Sequence, residues 1–391
     1  MTSTSTRTVT GGPARTLPAL VSRLRRLRPP RRRSTAMWVG TGSLMLGRRG
    51  HAATLLPDGT VLVAGGSVGR LGVEDYTAGA EVFDPAAGMW TPVEPMAVDR
   101  TDHAMTRLAD GRVLVTGGLS DHGNTVLDSA EIYDPVRRRW TPTGSMHWQR
   151  VGHTATLLFD GRVLVTGGYD KTLDTHLDTA EVFDPATGRW SVAATMSTPR
   201  SLASATLLPD GRVLVVGGYE SGTPDGLRSC EVYDPRADAW SATAPLALAR
   251  DTEETGGHRA VSLADGRVLV VGGYDTQLEI YTASCEIYDP ATGRWQPAAA
   301  MGTPRGAAMG VVLADGSVVV AGGYNDQAGA LASAERYFPE QDQWVPLQPM
   351  SAARGGYATL TPLSRHRLLA AGGDGTAPEF RPVASAETLR V

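Results

Sequence analysis

Five side chains of types that bind transition metals each follow an arginine by a few residues, at intervals along the chain. His51, His103 and His153 each end an R-x-x-H segment, and His258 ends a similar segment with a five-residue insertion. Tyr357 follows a further arginine by three residues. Imidazole and phenolate groups bind copper, iron and zinc, so convergence of these side chains predicts a metal centre. The alternative is that the histidines cap or pack the fold.

A second set of residues has the types found in binding surfaces. Tyrosine follows a Gly-Gly pair four times, at Tyr169, Tyr219, Tyr274 and Tyr324, and an acidic or amide residue comes next. The tyrosines therefore predict an aromatic, acidic arc, with ordinary packing as the alternative. Trp148 is the one tryptophan outside the repeated pattern described below, and an extra tryptophan in a variable segment is a candidate ligand anchor.

The insertion before His258 supplies two more candidate ligand contacts. Its sequence is DTEETGGH, and it includes Asp251 and Glu254. Elsewhere the sequence has no nucleophile–base triad motif, no phosphate-binding loop and no Cys-x-x-Cys pair. A function in this chain therefore depends on surface loops or on the histidines.

The elements that position these residues repeat about every fifty residues. Each unit contains an Asp-Gly pair, an apolar run ending in Gly-Gly, a segment such as AEVFDP, and then a tryptophan. Asp-Gly between two apolar runs is typical of a β-hairpin. We label the four predicted strands of a unit a (HTATLL), b (VLVTGG), c (AEVFDP) and d (RWSVAATM). Four-stranded units at this period indicate an all-β fold, the β-propeller.

The two ends of the chain predict how the ring closes. The seventh unit stops after strand c, whereas an additional strand d containing Trp38 precedes the first unit. We therefore expect seven blades, with the N-terminal strand completing the C-terminal blade and removing the exposed sheet edges. The predicted domains are a basic, disordered leader at residues 1–35 and the propeller at residues 36–391.

The Gly-Gly pair, the Y/F-D-P turn, the spaced tryptophan and the R-x-x-H segment resemble the kelch repeat, as found in bacterial kelch proteins and in galactose oxidase-like propellers. The resemblance implies a propeller that serves as a binding scaffold or an enzyme. Related copper oxidases place a histidine ligand at the R-x-x-H site and use a tyrosine cross-linked to cysteine. Here Cys230 and Cys285 fall on strand c, where small buried residues are expected. The Asp251/Glu254/His258 insertion resembles an iron motif of plant kelch proteins, with spacing different by one residue.

Composition narrows the possible partners. No apolar run is long enough to span a membrane, and two cysteines cannot form a disulfide-rich scaffold. The net charge of -4 combines a basic N-terminal segment, with 11 arginines before Asp58, and an acidic remainder. The leader is a disordered tail, a targeting sequence or a segment that contacts an acidic surface. We expect a cytoplasmic protein that does not bind nucleic acid.

The leading functional hypothesis is a binding scaffold. The b–c loops and the d–a connections lie on one face and vary in length, so this face is expected to bind a protein, a peptide or a small molecule. The alternative is a metal-dependent oxidase, isomerase or tailoring enzyme with copper, iron or zinc at the histidine and tyrosine positions. Whether the chain is an enzyme stays open at this stage.

Overall fold

The short apolar runs and their Asp-Gly turns fold into seven four-stranded antiparallel sheets, each in the order a-b-c-d. The computed structural model describes residues 36–69, 75–221, 225–251, 257–376 and 380–391. In these ranges the one helical turn is the 3-10 turn Asp121–Gly123, and no helix has the length and apolar character needed to cross a membrane. The predicted seven-bladed propeller is confirmed.

The strands have the following bounds, in blade order from one to seven. Strand a, the innermost, spans Ala52–Leu55, Ala104–Arg107, Thr154–Leu157, Ser204–Leu207, Arg259–Ser262, Met309–Val312 and Thr359–Ser364. Strand b spans Val61–Ala64, Val113–Thr116, Val163–Thr166, Val213–Val216, Val268–Val271, Val318–Ala321 and Arg367–Ala371. Strand c spans Ala80–Asp84, Ala130–Asp134, Ala180–Asp184, Cys230–Asp234, Cys285–Asp289, Ala334–Phe338 and Ala386–Arg390. Strand d spans Met89–Val93, Arg139–Pro142, Arg189–Ala193, Ala239–Thr243, Arg294–Ala298, Gln343–Pro346 and Met37–Gly40.

Within the described residues, four b–c loops contain a further two-stranded hairpin. These hairpins pair Leu119–Ser120 with Thr125–Val126, Tyr169–Asp170 with Thr175–His176, Tyr274–Asp275 with Ile280–Tyr281, and Tyr324–Asn325 with Gly329–Ala330.

Closure of the ring depends on the N-terminal strand, as expected. Met37–Gly40 pairs antiparallel with Ala386–Arg390, with Trp38 opposite Leu389. The a strands contact one another around the whole ring, including blade seven against blade one. The first strand of the described chain therefore locks the last blade, which leaves no gap in the ring.

The core lies between the blades rather than within them. One cluster joins Leu62 and Val82 of blade one to Val113, Tyr133 and Trp140 of blade two, and six similar clusters surround the axis. Strand b is buried throughout because it carries side chains into two of these interfaces.

The repeated tryptophans pack between blades, as predicted, and most of them also hydrogen-bond there. Five indole Nε1 atoms donate to a backbone carbonyl oxygen of the preceding blade at 2.6–2.9 Å: those of Trp90, Trp190, Trp240, Trp295 and Trp344. Each of these rings also contacts the Phe or Tyr of its own strand c at about 5 Å between centroids. The high tryptophan content is therefore a property of the scaffold.

Seven buried arginines fasten the d–a connections to the blades. In blade three, Arg150 Nη2 donates to Glu181 Oε1 at 2.9 Å, and Nη1 donates to the Gly167 carbonyl at 2.6 Å. The equivalent pairs are Arg48–Glu81, Arg100–Glu131, Arg200–Glu231, Arg250–Glu286, Arg305–Glu335 and Arg354–Glu387. These pairs confirm the predicted structural role of the repeated charges.

The antiparallel order gives the propeller two chemically different faces. The Asp-Gly turns between a and b and the Asp-Pro turns between c and d lie on one, which we call the turn face. The b–c loops and the d–a connections lie on the other, which we call the loop face. Every candidate site residue in the described ranges lies on or beneath the loop face.

Candidate functional site

The histidines of the R-x-x-H segments lie in the interfaces between blades. A Cβ placed on Gly65 of blade one would lie 2.6 Å from Cε1 of His103, and one on Gly117 of blade two would lie 2.7 Å from Cε1 of His153. Each ring therefore packs on the first glycine of the preceding blade's Gly-Gly pair. His51 has the same relation to Gly372 of blade seven. The glycine leaves the space that the histidine ring occupies.

Two of these rings find a hydroxyl partner in the preceding blade. His51 Nε2 lies 3.0 Å from Thr359 Oγ1, and His153 Nε2 lies 2.8 Å from Thr116 Oγ1. Blade one offers alanine, at Ala52 and Ala64, in the matching places beside His103.

Burial keeps these histidines neutral. Desolvation, with nearby Arg48 and Arg354, lowers the pKa of His51 to about 3, and desolvation with Arg150 lowers that of His153 to about 3. The pKa of His103 lies well below 6.5 for the same reasons, with His51 and His153 as further neighbours. The three imidazoles are uncharged at neutral pH.

Tyr357 does not occupy the histidine position that the spacing from Arg354 predicted. Ala358 directly precedes strand a of blade seven, as His51 precedes that of blade one, because blade seven has one more residue in its connection. Tyr357 instead takes the preceding place, with φ of 64°. The expected alignment of Tyr357 with the histidines is therefore corrected by one residue.

The donors in the described residues do not fit a transition metal centre. The Nε2 atoms of His51 and His153 face threonine hydroxyls, and Tyr357 is out of register with them. Within the described ranges no group of three His, Cys, Asp or Glu side chains lies close enough to hold a metal ion. The thiols of Cys230 and Cys285 are free, buried and directed at carbonyl oxygens of their own strand segments.

The blade five insertion brings Asp251 and His258 together. Asp251 Oδ1 lies 2.8 Å from His258 Nδ1 and Oδ2 accepts the Gly218 N–H at 2.8 Å, so the carboxylate ties blade four to blade five. Burial opposes its ionisation, but His258 and the backbone N–H groups outweigh burial and hold the pKa of Asp251 below its usual value. Glu254 lies outside the described residues.

The four tyrosines that follow Gly-Gly pairs are half-buried on the loop face. The backbones of Tyr169, Tyr219 and Tyr324 bridge to the neighbouring d–a connection, and the Tyr274 N–H donates to the Arg250 carbonyl at 2.9 Å. The polar residues after three of them are buried and shape the loop. For example, Asp170 Oδ1 accepts two backbone N–H groups. Asp275 and Asn325 do the same.

Aromatic rings extend these tyrosines into an arc around half of the loop face. His176 lies 5.2 Å from Tyr169 and 5.3 Å from Tyr219, between ring centroids. Further round, Tyr274 contacts Tyr281 at 5.2 Å and Tyr324 contacts Phe380 at 6.3 Å.

Sequence reasoning missed three members of this arc: His176, Tyr281 and Phe380. A sequence signal exists for the first two, because each stands seven residues after a tyrosine, where a hairpin partner falls. Phe380 reaches the arc only through the fold of the blade seven loop.

A ring of left-handed residues surrounds the axis at the centre of the loop face. These residues precede the histidine position and have φ between 50° and 64°. The described members with this φ are Gly50, Asp102, Gly152, Leu202, Ala307 and Tyr357. Backbone hydrogen bonds link several neighbours, such as Leu202 N to Gly152 O at 2.7 Å. Side chains at this ring therefore differ from blade to blade while the backbone repeats.

Trp148 lies near the outer part of the loop face, in the connection that follows blade two. It is half-buried, and its ring lies 5.9 Å from that of His147 between centroids. Its backbone N–H donates to Glu181 Oε1 at 3.4 Å. His147 Nδ1 lies 2.7 Å from Glu181 Oε2. The structure thus anchors the backbone of Trp148 while part of its indole stays accessible.

Charge separates the two faces. On the turn face, Asp-Gly-Arg turns pair their own charges at 2.7 Å, as in Arg112–Asp110 and Arg162–Asp160. On the described loop face the accessible bases are Lys171, Arg228, Arg381 and Arg259, which begins strand a of blade five. The accessible acids there are Asp75, Asp99, Asp102, Asp121, Asp128, Asp174, Asp178, Glu220, Asp225, Glu279 and Asp326. The loop face is therefore strongly acidic.

These features define a seven-bladed propeller of repeated four-stranded units with an acidic, tyrosine-bearing loop face. The KLHDC2/KLHL20/DRC7 kelch-repeats domain matches residues 9–218 and 152–373, so the chain belongs to the kelch-repeat family. No curated protein matches the sequence.

Among solved structures, the chain is similar to a fungal alcohol oxidase of the AA5 family, determined in complex with copper. The TM-score is 0.70 at 18% identity, over 91% of this chain and 76% of the oxidase chain. This likeness concerns the fold.

Proposed function

We propose that the chain is a binding scaffold whose loop face takes a peptide, protein or small-molecule ligand. The observation that carries the proposal is the contrast between the faces. The turn face repeats one charge-paired turn, whereas the loop face collects varied loops, partly exposed aromatic rings and an excess of carboxylates. Surfaces that combine accessible aromatic rings with polar groups on a rigid scaffold are typical of binding sites.

The scaffold supports this proposal through its rigidity. The seven buried Arg–Glu pairs and the left-handed ring fix the backbone beneath the loops. A fixed backbone reduces the entropy lost when a ligand binds. We further propose that residues 1–35 act as a separate basic leader and that residues 36–391 carry the binding activity.

A random peptide library displayed on phage tests the proposal with the full-length chain as target. Enriched peptides should lose at least fivefold in affinity for Trp148→Ala or Tyr357→Ala. They should bind unchanged to Phe159→Ala and Val136→Ala, whose side chains are 71% and 91% exposed on the turn face. Absence of enriched peptides, or loss of binding in the turn-face variants, would overturn the proposal.

The alternative, a metal-dependent oxidase, isomerase or tailoring enzyme, has one supporting observation, the likeness to the copper-bound oxidase fold. Elemental analysis after reconstitution with copper, iron and zinc tests it. The arrangement of the described donors predicts less than stoichiometric metal. Stoichiometric metal that is lost in both His103→Ala and His153→Ala would establish the alternative instead.

A further inference from the structure

Two pairs of aromatic rings lie on the loop face of blades five to seven, and we call this group, with Tyr357, the aromatic wall. Tyr274 and Tyr281 meet edge to face, with 5.2 Å between centroids and 79° between planes. The short strand Ile280–Tyr281 contacts Tyr324–Asn325 of blade six. Tyr324 in turn lies 6.3 Å from Phe380 of blade seven. Aromatic residues from three blades therefore lie side by side on one part of the loop face.

Tyr357 stands at the inner end of this wall in a conformation that needs an explanation. Its φ is 64°, which is unfavourable for a bulky residue, and glycine holds the same place in blades one and three. Its side chain is nevertheless 42% exposed, so burial of the ring does not account for its presence. Leu202 and Ala307 hold the same place in blades four and six with φ of 56° and 50°, so the backbone conformation belongs to the scaffold and the exposed ring distinguishes blade seven.

The connection before Tyr357 contains two glycines that leave room for the Tyr324 ring. A Cβ on Gly355 would lie 2.3 Å from Tyr324 Cζ, and one on Gly356 would lie 3.4 Å from Tyr324 Cε2. The Tyr324 ring therefore packs closely against the two glycines that precede Tyr357. Tyr357 therefore directly follows the two glycines that contact Tyr324.

Carboxylates border the wall on several sides. Asp326 Oδ2 accepts the Tyr281 N–H at 3.4 Å, and Glu279 is exposed on the same hairpin as Tyr274 and Tyr281. Asp374 lies 3.4 Å from the cation Arg49, and a second cation, Arg381, directly follows Phe380 in the chain. Asp102 belongs to the same axial ring as Tyr357.

Burial, and to a smaller extent nearby carboxylates, raises the pKa of three tyrosines of the wall. Burial, then Asp326, raises the pKa of Tyr281 to about 12, and burial with Asp374 raises that of Tyr324 further. Desolvation, together with Asp102 and Asp374, also raises the pKa of Tyr357. The phenols therefore stay neutral at physiological pH in a negative environment.

We propose that this wall, formed by Tyr274, Tyr281, Tyr324 and Tyr357 with Asp102 and Asp326, binds an arginine or lysine side chain of a basic peptide. Aromatic faces attract organic cations, and carboxylates beside them supply the opposite charge. An anionic ligand would meet repulsion from the same groups. This inference rests on the proposed function, because it specifies the ligand class of the loop face.

Fluorescence anisotropy with the full-length chain and three labelled peptides of equal length tests the inference. The peptides GSRSRG, GSQSQG and GSESEG differ only at two positions, whose side chains are cationic, neutral and anionic in turn. The arginine peptide should bind at least tenfold more tightly than the glutamine peptide at low salt, and the glutamate peptide should bind most weakly. Equal binding of the first two peptides would overturn the inference.

Variants separate a local site from the general acidity of the face. Tyr357→Ala and Asp326→Asn should each weaken the arginine peptide at least fivefold, whereas Tyr357→Phe should retain it because the ring face remains. Asp128→Asn removes an exposed loop-face charge of blade two and should change affinity less than twofold. If Asp128→Asn weakens binding as much as Asp326→Asn, the wall is not a specific site.

The two proposals can fail separately. If peptides enriched from the phage library bind the loop face but carry no basic residue, the scaffold proposal stands and the cation inference fails. If no peptide of any charge binds the loop face, both fail.

Discussion

Each blade depends on one arginine whose charge is removed from water. The guanidinium groups are almost completely buried, and desolvation lowers the pKa of Arg150 even though Glu181 opposes that shift. A buried ion pair is costly to break because the remaining partner keeps its charge without compensation. The repeated arginine therefore stabilises the geometry of the loop face, although it contacts no ligand itself.

Replacing Arg150 with methionine should reveal this dependence. Arg150→Met leaves Glu181 buried and should lower the free energy of unfolding by about 3–5 kcal/mol. The matched control is Arg162→Met, because the Arg162–Asp160 pair lies at the surface, where a pair contributes about 0–1 kcal/mol. Urea titrations followed by tryptophan fluorescence measure both. Equal losses of unfolding free energy in the two variants would show that the buried pair contributes no more to stability than the surface pair.

The buried histidines predict the sign of the pH dependence of stability. His51 and His153 bind a proton below about pH 6.5 when unfolded but only near pH 3 when folded. The unfolded state therefore holds more protons in this window, so stability is complete above pH 6.5 and falls as pH decreases. Each such histidine contributes a slope of up to about 1.4 kcal/mol per pH unit.

Urea unfolding at pH 7.5, 6 and 5 tests this sign. His51→Gln should flatten the loss of stability on acidification, whereas His366→Gln, at an exposed position, should leave it unchanged. A slope that is the same in His51→Gln and the wild type would contradict the burial of a neutral imidazole.

At the scale of elements, the Gly-Gly pair is a joint between blades. The first glycine has a left-handed φ and also leaves room for the next blade's histidine ring and arginine carbonyl. The apolar run before it is strand b, which is buried on both sides. The Gly-Gly motif thus ends strand b, turns the chain and packs against the neighbouring blade.

Two glycine substitutions separate these roles. Gly65→Ala would place Cβ 2.5 Å from the Arg100 carbonyl oxygen and 2.6 Å from His103 Cε1, at φ of 70°. Gly59→Ala also has a left-handed φ but meets no atom within 4 Å, so it should cost only about 1–2 kcal/mol. Because its new methyl group overpacks the interface, Gly65→Ala should lower the free energy of unfolding by about 1–3 kcal/mol more than Gly59→Ala does. Thermal unfolding of both variants measures the difference, and equal midpoints would contradict the close packing.

The strands and turns were predictable from sequence because the same motifs occur in all seven repeats. The hairpin turns, the strand order and the pairing of Arg150 with Glu181 follow from residues that recur at fixed spacing. The register of Tyr357 was not predictable, since a single additional residue in one connection has no second copy to reveal it. The partners of Tyr324 were hidden because Phe380 and the glycines at 355 and 356 approach it only after blades six and seven pack.

At the scale of the whole molecule, closure and charge distribution determine what the protein can do. Pairing of Met37–Gly40 with Ala386–Arg390 closes the ring and holds seven sets of loops on one face. The turn face neutralises its own charges, so the acidity of the propeller is concentrated where the tyrosines lie. The propeller is therefore a rigid scaffold whose loop face is acidic and aromatic.

The most direct test of this account is hydrogen–deuterium exchange of the full-length chain with and without the tightest peptide from the phage library. The account predicts slower exchange in the b–c loops and d–a connections of blades five to seven, around Tyr281, Tyr324 and Tyr357. It predicts no change in the Asp-Gly turns that contain Asp160 and Asp210. Protection of those turns, with unchanged exchange in the loops of blades five to seven, would contradict the assignment of the loop face as the binding surface.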